Sequence, residues 1–319
     1  MSQILNFKNI ALSHIDFGDF SYSLSPELDI VPDESLTESI SRHGILHPPI
    51  VRETTPDFYI IVSGRKRLLA LQALDTESAC GCLVIYRHVP ELDVFSLLLE
   101  EVQLARKLTT IEKAIFLQKI TAITDESQII RDFLPRLGLA PAPFSIKHTI
   151  RLFDLEDPIR RSLHHGTLSE TVAYDFILLS PQDRKALFEI ITSLRLSFSF
   201  QKKLLNICRE LASRANMSIA ALLDNDEVQG ILHHQDANPP QKTKNLMLWL
   251  SRKHMPRFSQ AAEEFRHFIA AMQLPKNISV AHTPFFEDDS MILSITFSNR
   301  KSLQDAWEKI RHAAYGNDN

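Results

Sequence analysis

Hydrophobic and polar positions change period several times along this chain, and those changes mark its elements. Phe58 to Val62 is a short apolar run rich in β-branched and aromatic residues; Ser63-Gly64 follows, and then Leu68, Leu71 and Leu74 recur on one helical face. The pattern predicts a strand, a glycine joint and a helix. Upstream, Leu36 and Ile40 share a face at i, i+4, with Asp33 or Ser35 placed to cap that helix and Gly44 to close it in a left-handed turn. Pro48 and Pro49 then forbid helix, so Ile50 and Val51 are expected to open an edge strand that pairs with Phe58 to Val62 across a turn at Thr54 to Asp57. Cys82 to Tyr86 reads as a further strand, and Asp93 as the cap of a helix from Val94 to about Arg106.

Strand signals then stop for a long stretch. Thr109-Thr-Ile-Glu112 is a capping-box signature and starts a helix through about Ala122. Further helices are predicted over Ser127 to Leu137 (closed by Gly138), Phe144 to Phe153, Asp157-Pro158 to His165 (closed by Gly166), Ser169 to Leu179 and Ser180-Pro181 to Leu194. The two prolines would stand at the first helical position, where a missing amide costs nothing. Ser199 to Ala215 and Ser218 to His233 are helical, Asp236 to Pro240 is a linker candidate, and Lys242 to Gln273 reads as helix interrupted at Pro256. Ile278 to Phe285 and Met291 to Phe297 alternate around Phe286 to Ser290 as a hairpin, before a last helix from Ser302 to Ala313.

Composition narrows the class. With 319 residues, 44% hydrophobic and 23% charged, the chain has room for two or three globular domains. Its formal net charge of −4 means that any nucleic-acid site must be a local patch. Three cysteines, Cys80, Cys82 and Cys208, argue for free thiols in a reducing compartment, and Cys80-Gly-Cys82 has no second ligand pair at zinc spacing. His164-His165 and His233-His234 cannot share a helix face and read as surface pairs. No leader pattern and no long apolar run is present, so the expectation is a cytoplasmic protein with no membrane partner.

Two places carry candidate chemistry. At Ser63-Gly64 the backbone can approach a ligand closely, the first amides of the next helix are unpaired donors, and Arg65, Lys66 and Arg67 add positive charge. The plain alternative is a strand-to-helix turn with a solvated basic face. Between Arg136 and Arg151 the chain carries Arg136, Lys147 and Arg151 with no acidic residue, a face that could neutralise phosphates; here too a helical spacer with solvated charges is the alternative.

The run Leu36-Thr-Glu-Ser-Ile-Ser-Arg-His-Gly-Ile-Leu-His-Pro-Pro-Ile-Val-Arg52, followed by a strand and Ser63-Gly-Arg-Lys-Arg-Leu-Leu-Ala70, resembles the N-terminal domain of the ParB partition-protein family. Leu134-Pro-Arg-Leu-Gly-Leu139, Ser145 to Leu155 and Glu156 to Ser169 resemble that family's helix-turn-helix and following helices. The resemblance implies an α+β architecture with three parts. Residues 1–106 would be a ParB/sulfiredoxin-like nucleotide- and phosphate-binding domain. Residues 107–235 would be a helical domain with a degenerate helix-turn-helix, and residues 236–319 a helical and hairpin module for dimerisation.

It also implies site residues. Gly44, Ser63, Gly64, Arg65, Lys66 and Arg67 would bind a nucleoside triphosphate, CTP with magnesium, and Glu101 would be the catalytic and metal-orienting residue. Arg136, Ser145, Lys147, His148 and Arg151 would face DNA. The protein would be a nucleoid-associated, nucleotide-gated homodimeric clamp of partition type, with a partition ATPase as a further partner. Departures from the family pattern bear on this. Val102 replaces an Asn that serves the magnesium-triphosphate, Ala105 stands where Arg would, with Arg106 one place on, Arg65 replaces a Glu, and His47 a Gln. Valine cannot ligate a hard cation, so turnover is expected to be slow or absent. Pro135, Pro141 and Pro143 are expected to kink the first helix and lengthen the turn of the helix-turn-helix. Two alternatives stay open: a non-catalytic adaptor that kept the fold, and a nucleotide-dependent enzyme on the same cradle, as in sulfiredoxin or ATP-using kinases.

Overall fold

Strand β1 (Leu5–Ala11) begins the sheet that positions the rest of the first unit, and sequence patterning does not reveal it. The computed structural model describes residues 5–26, 32–74, 79–275, 277–282, 290–304 and 306–307. After β1 come β2 (Ile15–Asp16), α1 (Glu34–His43), β3 (Ile50–Thr55), β4 (Phe58–Ser63), α2 (Arg65–Leu74), β5 (Ala79–Ile85) and α3 (Glu91–Ala105). The sheet runs β1-β5-β3-β4-β2, mixed in direction: β3 is antiparallel to β4 and parallel to β5, while β1 is antiparallel to β5. β3 is therefore an inner strand, which corrects the expected edge strand. The prolines keep this segment out of helix but do not confine β3 to an edge, because both precede Ile50, and the Pro49 carbonyl itself accepts from the Leu83 amide at 2.8 Å.

One face of the sheet is closed by Ile10, Leu12, Ile15, Val51, Tyr59, Ile61, Leu68, Cys80, Cys82 and Val84. Alternation along β5 sends Cys80, Cys82 and Val84 to this core; all three cysteines of the chain are free thiols and buried. Asp33 caps α1 by accepting from the Ser35 amide, and Gly44 ends it at φ 71°. α3 starts at Glu91, three residues before the expected Val94, with Pro90 as its N-cap and Asp93 in its first turn.

The helical part begins with α4 (Thr110–Ile120), where the expected capping box is present in full. Asp125 caps α5 (Glu126–Gln128), which passes into a π-helical turn over Ile129–Phe133. Pro135 has no amide to give to Arg131, so the ladder slips by one residue and Leu134 N–H bonds Ile129 O at 3.0 Å. Gly138 (φ 67°) closes the segment: Gly138 N–H reaches Pro135 O and Leu139 N–H reaches Leu134 O, a Schellman pair. α6 (Pro143–Ile150) follows, then α7 (Asp157–His164), α8 (Glu170–Phe176) and α9 (Pro181–Ser193). Pro181 takes the first helical position behind the Ser180 cap, whereas Pro158 stands one place further in.

The chain divides into two compact units between Lys202 and Lys203. α10 is Phe198–Ala215. The second unit holds α11 (Ile219–Leu223), α12 (Asp226–Leu232), α13 (Pro239–His254) and α14 (Pro256–Ala271), then an antiparallel hairpin of β6 (Ile278–His282) and β7 (Met291–Ile295). The stretch expected as one helix from Ser218 to His233 is two, broken where Asn225 caps the second. Pro239 and Pro240, expected in a linker, begin α13 behind a capping box of Asn238 and Gln241. Most of the expected hairpin turn and most of the last helix lie outside the described residues. Among the described residues no helix is long and apolar enough to cross a membrane.

Candidate functional site

The glycine joint lies between β4 and α2, as expected. Gly64 has φ 90°, and its carbonyl accepts from Arg67 N–H at 2.9 Å and Leu68 N–H at 3.1 Å, so α2 opens directly from it. A Cβ at Gly64 would lie 3.0 Å from Arg67 Nη2 and 3.0 Å from Pro49 Cβ. Glycine is needed here twice, for the positive φ and for the close approach of those walls. Lys66 is exposed at the mouth, and Arg67 is half-buried with its guanidinium on the His47 carbonyl. The α2 N-terminus thus offers amides, one solvated ammonium and one guanidinium anchored to the turn ahead of β3. Gly44 closes α1, which packs on α2.

Arg65 points elsewhere. Its Nη1 donates to Phe17 O at 2.6 Å, its Nη2 to Asp19 O, and its guanidinium lies 4.3 Å from the centre of the Phe20 ring. Burial lowers its pKa against the pull of Asp19 and Asp16. From the other side Lys119 of α4 donates to Phe20 O at 2.9 Å and Ser21 O at 2.7 Å, and burial lowers its pKa too. Residues 17–21 form a strap, and the carbonyls of Phe17, Asp19, Phe20 and Ser21 accept from these two cations. Sequence reading missed it because a backbone acceptor has no residue signature; the Asx turns at Asp16 and Asp19, onto Gly18 N–H and Ser21 N–H, were the available signal.

Glu101 is half-buried on α3, and the next residue is Val102. Arg106, just past the end of α3, reaches forward: Nη1 donates to Glu112 Oε2 at 2.6 Å and Nη2 to Oε1 at 2.5 Å. Burial alone would raise the Glu112 pKa, but the Arg106 guanidinium and the Thr109 amide outweigh it and hold the carboxyl below the ordinary range. Thr109 Oγ1 lies 3.0 Å from His164 Nδ1, so His164 is a partly buried, hydrogen-bonded residue and not the solvated surface histidine expected. Among the described residues no group of three or more His, Cys, Asp or Glu could hold a metal ion. Glu101 is the carboxylate here that the sequence offers to a cation, and Val102 beside it supplies no oxygen.

The acid-free stretch from Arg136 to Arg151, expected to lie in a helix-turn-helix, splits up in space. Arg136 donates to Ser96 Oγ at 2.7 Å, Ser96 O at 3.0 Å and Glu100 Oε1 at 3.2 Å, tying the end of the first helix to α3. Ser145 is buried at 5% exposure, which corrects its placement nearest the groove: α6 turns this small residue inward. Lys147 and His148 are exposed, His148 stacked 4.0 Å from the Tyr174 ring centre. Arg151 is exposed and 3.5 Å from Asp154. An anion approaching α6 therefore meets Lys147 first.

Residues 8–101 match the family model of the ParB N-terminal domain. The nucleoid occlusion protein of Lysinibacillus sphaericus is 27% identical over 149 residues, 47% of this chain and 48% of the relative. That of Bacillus cytotoxicus is 29% identical over 160 residues, 50% of this chain and 53% of the relative. The chain thus spans about half the length of the curated relatives it matches. Among solved structures, the C-terminally truncated chromosome-partitioning protein ParB from Caulobacter crescentus, complexed to the centromeric parS site, is 19% identical at a TM-score of 0.35, over 62% of this chain and 97% of that one. The same protein complexed with CTP-γ-S is 20% identical at 0.24, over 55% and 93%.

Proposed function

We propose, from the ParB N-terminal domain that residues 8–101 form, that this ParB-like chain is a DNA-associated protein of partition or nucleoid-occlusion type with a triphosphate cradle at the β4–α2 joint. The observation that carries the reading is Gly64, inside the matched segment, at φ 90° with no room for a side chain. In this reading the Ser63-Gly64 backbone and the first α2 amides receive phosphate oxygens, with Gly44 at the margin. Lys66 and Arg67 neutralise the phosphates, and Arg65 supports the cradle from behind. CTP is the nucleotide that the family resemblance favours. A bound triphosphate would supply the negative charge that draws these groups together; the chain's part is to orient it and exclude water.

Lys147, His148 and Arg151 are the proposed DNA contacts, with few phosphates neutralised per protomer. A homodimer would then be needed for retention, since linked weak sites gain avidity. Hydrolysis is expected to be slow or absent, because Val102 beside Glu101 offers no oxygen to a magnesium ion. Gating of a clamp and engagement of a partition ATPase belong to the same proposal.

Calorimetric titration with CTP, ATP, GTP and UTP, with and without magnesium and a duplex DNA fragment, tests it. Saturable CTP heat that is lost in Arg67→Ala supports the cradle. No heat from any triphosphate would leave the joint an inherited turn and favour the adaptor, the second reading. That reading draws on the engagement of Arg136 with Ser96 and Glu100 and on the burial of Ser145.

A further inference from the structure

The strap at residues 17–21 has an unusual set of partners. Two of its amides make short Asx contacts, Gly18 N–H to Asp16 Oδ1 at 2.7 Å and Ser21 N–H to Asp19 Oδ1 at 2.8 Å. Four of its carbonyls, those of Phe17, Asp19, Phe20 and Ser21, accept from two side chains, and Phe20 O also accepts from Ser23 N–H at 3.0 Å. Those side chains come from elements with different roles. Arg65 is the first residue of α2, one position past Gly64, and Lys119 lies at the end of α4, the helix that packs on α6 and α7. The far end of the strap is fixed: Tyr22 is buried at 2% exposure, its hydroxyl meets Arg52, and its ring lies 5.1 Å from that of Phe95 on α3.

We propose that the strap is the mechanical link between the phosphate cradle and the helix-turn-helix bundle, with Arg65 and Lys119 as its two positioning residues. Any movement of the α2 N-terminus must carry the Arg65 fork with it or break both of its bonds. Either event displaces the carbonyls that hold the Lys119 ammonium in place. Charge-assisted bonds are short-ranged and directional, so a shift of Arg65 that breaks its two bonds releases this end of the strap. A ligand that prefers one position of Arg65 then biases α4, and through it α6, where Lys147 is displayed. The physical link stands on the geometry alone; its use by nucleotide rests on the proposed triphosphate cradle.

Lys119 reports the state of the strap through the reactivity of its amine. The full chain is labelled with a limiting acylating reagent, and the rate at Lys119 is read by mass spectrometry against exposed Lys66 and Lys147. Replacing Arg65 by Met, or by Lys to keep the charge while removing the fork, is expected to speed Lys119 labelling about tenfold, the size set by losing one charge-assisted bond. Circular dichroism on both variants shows that the fold persists. A Lys119 rate unchanged in both folded variants overturns the link, whatever nucleotide does. In the wild type, saturating CTP is expected to change the Lys119 rate at least threefold and to leave Lys66-distant lysines such as Lys202 unchanged. In Arg65→Met the same CTP is expected to have no effect at Lys119. CTP that binds by calorimetry yet leaves Lys119 unmoved in the wild type overturns the coupling. Absent CTP binding, with faster labelling in Arg65→Met, overturns the triphosphate reading and leaves the physical link standing.

Discussion

The β4–α2 joint and the stretch from Arg136 to Arg151 both look like basic patches in sequence, yet the structure uses their arginines differently from their lysines. At the cradle, Arg65 is committed to the carbonyls of Phe17 and Asp19 and Arg67 to that of His47, while Lys66 faces solvent. Along the second stretch, Arg136 is committed to Ser96 and Glu100, Arg151 lies against Asp154, and Lys147 faces solvent. The guanidinium fork, with five donors in fixed geometry, suits the joining of backbone acceptors; the ammonium on a flexible stem stays hydrated and available. Adjacent cations make a binding patch only once it is known what each donates to.

Four tests probe that division, beginning with the strongest. Glu112→Gln removes the charge that Arg106 and the Thr109 amide converge on, and should cost about 2–3 kcal/mol in urea denaturation at neutral pH. Because the folded pKa is depressed, this stability is fully present above the unfolded value of about 4.3 and is lost as pH falls through the lower folded value. The wild type should therefore weaken with acid in that window, and the variant should show a flatter acid limb; parallel limbs would mean the pair is idle.

Arg136→Ala should cost about 2 kcal/mol by the same measurement, whereas Lys147→Ala should stay within about 0.5 kcal/mol of the wild type. A stable Arg136→Ala protein with weakened DNA binding would reverse the roles assigned to these two residues.

Two glycines separate backbone strain from crowding. Gly64→Ala meets both a positive φ and atoms at 3.0 Å and should lose about 2 kcal/mol along with any triphosphate binding. Gly138→Ala meets the φ cost alone, with nothing within 4 Å of its Cβ, and should lose about 1 kcal/mol. Equal melting shifts would show that the cradle walls yield.

The smallest effect concerns salt. If Lys147 contacts one phosphate, Lys147→Ala should make the plot of log affinity against log salt shallower by about 0.9, with no change in melting temperature. An unchanged slope removes Lys147 from the interface.

Much of the fold was legible where the signal is local. The Thr109–Glu112 capping box, the Ser180-Pro181 start and the Gly64 and Gly138 turns depend on residues within a few positions of one another. β1 was not legible, because its partner β5 lies some seventy residues on and Asn6 and Asn9 dilute its alternation. The inner place of β3 needed the same long-range pairing. At the candidate site, glycine and charge marked the position, but the direction of Arg65, Arg67 and Arg136 followed from carbonyls that any residue could supply. Lys119 entered only because the fold brings α4 to a loop ninety-eight positions earlier.

The pairing of β1 with β5, Leu5 opposite Ile85, also sets an order of events during synthesis. The β3–β4 hairpin can close within about 1–10 μs of its last residue appearing. β1 leaves the ribosome first yet has no partner until β5 follows, an interval of about 4–15 s at ordinary elongation rates. Throughout that time Phe7, which in the finished sheet lies over Gly81, is an aromatic side chain on an unpaired strand. Of the strands of this sheet, β1 is made earliest and paired last, so nascent chains stalled before Ala79 are the ones expected to recruit chaperones.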